Sequence, residues 1–237
     1  MTPTRVLIVN ADDFGRSEGI NAGIVKGHEH GIVTSASLMV RWPAAAAAAE
    51  WAHPRNSLSV GLHFDLSEWT FDGEWRPVYE VIDDPTPPSV EHELERQLVL
   101  FRSLLGRDPT HLDSHQHVHL EEPARSALVA AGAALGVPVR AFSPVVSYCG
   151  EFYGQSGRGE PYPEGITSER LIGLLSRLPE GVTELGCHPA VEPELASSYA
   201  HERPLELAVL CDPSVRVAIR KAGIELRSFS TAAHAGS

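Results

Sequence analysis

Arg5-Val6-Leu7-Ile8-Val9-Asn10, running on into Ala11-Asp12-Asp13-Phe14-Gly15, decides the fold class. The run is β-branched and apolar on both faces, the mark of a strand covered on both sides in a parallel sheet. Ser17 then offers an N-cap to a helix carrying Ile20, Ile24 and Val25 on one side and stopping near Gly31. The same alternation continues outward. Further strands are predicted at 35–40, 57–64, 111–113, 137–142, 182–187 and 224–229. Helices are predicted at 44–49, 89–105 (Ser89 as N-cap, Gly106 as stop), 123–135, 168–178, 204–211 and 213–222. Residues 67–88 and 143–166 read as irregular. Seven strands alternating with helices predict an α/β fold, a closed or nearly closed parallel barrel, with a doubly wound open sheet as the competitor.

Both arrangements bind ligands at the carboxyl ends of their strands. Asp12 and Asp13, His63, His115 and His188 fall at that end of four different strands. Asp plus His is the ligand set of a hydrolytic metal site that keeps room for water. A metal-assisted hydrolase is therefore the expectation, on one domain spanning 1–237 with a frayed tail after about residue 230.

Composition narrows the class. An apolar share of 43% and a charged share of 21% are ordinary for a soluble globular protein. No apolar run is long enough for a membrane span or a secretory leader, so a cytoplasmic location is expected. The net charge of −12, with no basic cluster, excludes a phosphate-tracking stripe for nucleic acid. Cys149, Cys187 and Cys211 form no CxxC pair and read as free thiols. Nothing in the sequence sets the oligomeric state, and a homo-oligomer is compatible with it.

Adjacent Asp12 and Asp13 point in roughly opposite directions on a strand and share a site only if the chain turns there, one as ligand and one as base. The alternative makes one of them a turn residue. Asp113, His115, His117 and His119 would line one face if their strand continued, ~6.6–6.8 Å from one to the next. Two could then hold one metal, leaving the others to orient a ligand, contact substrate or pack. His188 is suited to donating a proton, and Arg140 to orienting an acidic base. The aromatic residues Trp69, Phe71, Trp75 and Tyr79, and Tyr148, Phe152, Tyr153 and Tyr162, could stack on a sugar or pack the two irregular stretches onto the barrel.

These segments resemble the YdjC-like carbohydrate deacetylases, the family that includes chitooligosaccharide deacetylases. The resemblance rests on 9–15, 31–35, Gly61-Leu62-His63, the His-rich 109–119, Phe152-Tyr153-Gly154 and Cys187-His188-Pro189-Ala190, in family order over essentially the whole chain. It implies a deformed TIM-like parallel barrel related to polysaccharide deacetylases, and one divalent metal, Mg or Zn, held by Asp13, His63 and His115. It also implies Asp12 as general base, His188 as general acid and an N-acetylated sugar as substrate. Tyr153, Arg140 and His117 are the expected substrate contacts. Two rival readings are hydrolysis of another bond, such as a phosphoester, and a sugar-binding module that has lost catalysis.

Overall fold

A computed structural model of the chain describes residues 5–193 and 197–232. Its strands are β1 (Arg5–Phe14), β2 (Ser35–Leu38), β3 (Ser59–Phe64), β4 (Ser67–Phe71), β5 (Trp75–Glu80), β6 (Leu112–Ser114), β7 (Val146–Cys149), β8 (Gly181–Cys187) and β9 (Ile224–Leu226). Its helices are α1 (Glu18–His30), α2 (Ala45–Ala52), α3 (Pro87–Leu105), α4 (Ala124–Leu135), α5 (Ser168–Ser176), α6 (Glu202–Leu210), α7 (Pro213–Lys221) and α8 (Phe229–Ala232). No described helix is long and apolar enough to cross a membrane.

β1 is buried along its length except at Arg5, as its two apolar faces require. It sits inside a curled, parallel half-barrel sheet of order β6-β3-β2-β1-β8-β7, with β9 beside its first residues. Ser17 caps α1 as expected, its side chain accepting from the Ile20 amide. The helix at 89–105 begins earlier than predicted. Thr86 is its N-cap and Ser89 lies at the third helical position, where the two side chains form a reciprocal capping box. Gly106 ends it with φ 66°, a left-handed conformation that glycine adopts without a Cβ clash.

Three expectations are corrected. Residues 137–142 do not form a strand: one parallel bridge joins Val139 to Leu112. Pro138 lacks the amide a ladder needs, and Ala141 turns the chain at φ 64°. The seventh strand is β7, from a stretch read as irregular, which pairs with β8 from Val146↔Val182 to Cys149↔Leu185. Residues 67–80 are likewise ordered, as the antiparallel hairpin β4–β5; its Asp72-Gly73 turn is a hairpin signal that the Trp- and Pro-rich surroundings obscured. At the C-terminus α8 ends at Ala232, and the remainder of the expected tail lies outside the described residues.

The underside of the site is a buried histidine. His111 lies against Gly61, where an added Cβ would come within 2.5 Å of Nε2. Its nitrogens meet Thr110 Oγ1 at 2.9 Å and Ser37 Oγ at 3.1 Å, and its ring stacks on Phe229. Burial, chiefly, pushes its pKa down to about 4. Because this lies below the unfolded value, the stability His111 contributes is present above about pH 6.5 and lost as pH falls through 4. His111→Gln is therefore expected to lose less stability than wild type between pH 7.5 and pH 4.5, by on the order of 3 kcal/mol at most. Urea midpoints at the two pH values measure it.

Candidate metal centre

The irregularity in the β1–β2 register lies between Ala11 and Phe14, and within it Asp13 takes φ 66°. This turn lets two consecutive acids face one pocket, which an extended strand forbids. Asp13 Oδ1 lies 3.4 Å from His63 Nε2 and 3.0 Å from His115 Nδ1. One donor atom from each of the three buried residues falls within 4.8 Å of the others. Donors about 2.0–2.2 Å from one ion, at angles between octahedral and tetrahedral, stand roughly 3–3.5 Å apart. The set therefore fits a small divalent cation.

What surrounds the donors supports the fit. His63 Nδ1 meets Asp113 Oδ1 at 2.7 Å. That contact fixes the proton on Nδ1 and turns the Nε2 lone pair toward Asp13, the usual arrangement behind a metal-bound imidazole. Ser37 donates to the other Asp113 oxygen at 2.6 Å, joining this carboxylate to His111 below. Arg203, from α6, holds Asp13 Oδ2 at 2.5 Å. Although burial opposes its charge, Arg203 and His115 hold the Asp13 carboxyl well below the usual carboxylate range. Burial opposes a charged His63 too, yet Asp113 and Asp12 outweigh it and push the ring up to about 10. A site this rich in buried carboxylate favours positive charge, whether proton or metal ion.

Asp12 occupies a different setting. Arg140 grips it with two bonds of 2.7 Å, and Asn10 Nδ2 donates to it at 2.9 Å. Burial raises its pKa, but Arg140 prevails and the net shift is downward, so the carboxylate stays ionised. The same guanidinium reaches Asp113 at 2.7 Å and Glu184 at 2.6 Å. Arg140 is 3% exposed and stands behind Asp12. Three carboxylates surround its guanidinium, and it does not line the cleft where a substrate contact was expected. His188 follows β8, with Nε2 at 3.8 Å from Asp12 Oδ2 and Nδ1 at 3.7 Å from Glu206 Oε1. Glu206 also accepts the His188 backbone amide and the Tyr199 hydroxyl, each at 2.5 Å.

The one-face alternation expected of Asp113, His115, His117 and His119 does not occur. β6 stops at Ser114, and a tight 3-10 turn with Gln116 and His117 at positive φ sends the four side chains to different places. Asp113 backs His63, and His115 faces Asp13. His117 lies beside the Tyr148 ring in the cleft wall, and His119 folds back onto Ser114 at 2.5 Å. Burial, first of all, holds His117 down to about 3 and His119 down to about 4, so both are neutral near pH 7.

Above the cluster opens a cleft of about 510 Å³. Trp69, Phe71 and Trp75 of the hairpin line it, with Tyr148, Phe152 and Tyr153 from the other irregular stretch. Tyr153 stacks on Tyr199, ring centroids 4.5 Å apart. Tyr79 instead turns away to bond Asp65, and Tyr162 does not line the cleft. Sequence reasoning missed Glu68, Arg203, Glu206 and Glu184. The inward face of α6 carried a signal: Glu202, Arg203 and Glu206 occupy buried positions where an amphipathic helix places apolar residues.

Residues 6–221 match the family model described as YdjC-like protein. A carbohydrate deacetylase of Geobacillus stearothermophilus is 38% identical over 95% of this chain and 97% of its own length. A chitooligosaccharide deacetylase of Serratia marcescens is 33% identical over 95% and 98%. Among solved structures, a candidate cellobiose-phosphate cleavage protein of Enterococcus faecalis V583 superposes with TM-score 0.78 at 24% identity, over 96% of this chain and 98% of the other. A family 4 carbohydrate esterase of Streptomyces lividans, in complex with acetate, gives 0.56 at 12% identity, over 95% and 93%. At such identities these two likenesses speak to the fold.

Proposed function

The chain belongs to the YdjC-like family, and from that premise we propose that it is a metal-dependent carbohydrate N-deacetylase, hydrolysing the acetamide of an amino sugar to acetate and free amine. The observation that carries the reading is the convergence of Asp13, His63 and His115 donors beside Asp12 and His188. Asp13, His63 and His115 would hold one divalent cation. Two imidazoles suit zinc, while a single carboxylate with water positions left open also admits magnesium. When bound, such an ion supplies a Lewis acid for the amide carbonyl and makes water more acidic.

The remaining work falls to the chain. Asp12, ionised in the grip of Arg140, accepts the proton of the attacking water. His188, whose Nε2 stands 3.8 Å from Asp12 Oδ2, protonates the departing amine, its backbone fixed by Glu206. Trp69, Trp75 and Tyr153 offer ring faces to the C–H surfaces of a sugar. Function in the cytoplasm is part of this proposal.

The test is acetate release from short N-acetylated amino-sugar oligomers, with and without chelator. Release is expected to stop on exhaustive chelation and return with added zinc or magnesium. Undiminished release from protein shown by elemental analysis to be metal-free would overturn the proposal.

A further inference from the structure

Glu68 lies on β4, outside the proton transfers described above, yet its side chain is 1% exposed at the edge of the metal centre. Its Oε2 is 3.3 Å from His115 Nε2 and 2.6 Å from Arg16. Arg16 Nη1 lies 3.3 Å from that same ring nitrogen. Two groups of opposite demand thus face one atom. The carboxylate requires a proton on Nε2, whereas the guanidinium requires a lone pair there. A neutral imidazole carries one of each on its two nitrogens. The other nitrogen, Nδ1, faces Asp13 Oδ1 at 3.0 Å. Only a lone pair on Nδ1 can bind a cation, so the useful tautomer is the one with its proton on Nε2.

We propose that Glu68 is the positioning residue of the cation site: its carboxylate, at ion-pair distance from His115 Nε2, favours the proton on that nitrogen and so keeps the Nδ1 lone pair turned toward Asp13 and His63. Asp113 does the same for His63 through the opposite ring nitrogen, holding Nδ1–H and freeing Nε2. The two ligand histidines are therefore set in opposite tautomers by separate carboxylates. The hairpin that carries Glu68 is fastened to the turn that carries His115. The Gln116 amide accepts from the Trp69 backbone N–H and donates to its carbonyl, both at 2.8 Å. One wall of the cleft, from Trp69 outward, is by this link part of the support of the metal centre.

The inference rests on the metal-centre reading, and the experiment separates the two. Zinc titrated calorimetrically into metal-free wild-type protein, Glu68→Ala and Glu68→Gln gives the affinities, with His63→Ala as the control that removes a ligand. Glu68→Ala, which leaves Arg16 alone at Nε2, is expected to bind zinc about 10- to 100-fold more weakly. Glu68→Gln keeps an accepting oxygen and is expected to fall between it and wild type. Long-range ¹H–¹⁵N spectra of zinc-loaded wild type should show His115 protonated at Nε2 and metallated at Nδ1, and His63 the reverse. This needs no variant and decides the matter if Glu68→Ala does not fold. Wild-type affinity in Glu68→Ala, or zinc on His115 Nε2, overturns the inference and leaves the metal centre standing. Failure of wild type itself to bind zinc or any other divalent ion overturns both.

Discussion

Asp12→Asn is expected to cut acetate release by between about 10²- and 10⁴-fold, the span attributable to a positioned general base, while leaving cation affinity within a few-fold of wild type. The reason is a division of labour between neighbours. Asp13 points at His63 and His115, whereas Asp12 is turned to Arg140 and Asn10. An asparagine can still accept one Arg140 bond through its amide oxygen, so the pocket keeps its shape and loses the proton acceptor. Calorimetric cation titration and an acetate assay on the same sample make the comparison. Turnover near wild type would remove Asp12 from the base role, and joint loss of turnover and cation would make it a ligand instead.

Arg140→Met is expected to lower stability by about 3–5 kcal/mol near pH 8, the usual cost of stranding buried charge. One guanidinium serves Asp12, Asp113 and Glu184, all essentially buried, and methionine leaves the three carboxylates facing each other. Arg140→Lys should rescue little of this, because a single ammonium cannot reproduce the planar fork that meets both Asp12 oxygens while reaching the others. The loss should shrink on acidification. Burial, against the pull of Arg140, already pushes Glu184 up to about 7, so below that pH one carboxyl carries its own proton and needs no cation. Denaturant midpoints at pH 8 and pH 5.5 test both statements. A variant within 1 kcal/mol of wild type at pH 8 would mean that the arginine is not what allows these acids to be buried.

The candidate metal centre was readable in pieces. Asp12-Asp13 after a doubly apolar strand and His63 after Gly61-Leu62 were visible as polar groups at strand ends, because β1 and β3 are long enough to show their pattern. The partners were not visible. Glu68 is one acid among many in a stretch that reads as irregular, and Arg203 reaches Asp13 from 190 positions away. The His-rich segment misled for a local reason: its alternation suits a strand, but Gln116 and His117 at positive φ break the backbone immediately after Ser114. The strand at 137–142 failed similarly, since Val137, Val139 and Phe142 supply strand-like residues while Pro138 supplies no donor.

The sequence by itself determined the parallel α/β architecture, the end of the sheet on which chemistry sits, and the residue types brought there. Those follow from periodicity and strand order, which are local or nearly so. Which acid faces the two histidines and which faces Arg140, which nitrogen of each histidine faces Asp13, and which carboxylates surround Arg140 were decided only in three dimensions. These depend on side-chain directions set by a bulge at Asp13, a kink at Gln116 and His117, and charges arriving from distant helices. Electrostatic pairing acts through space, and no spacing along the chain encodes it.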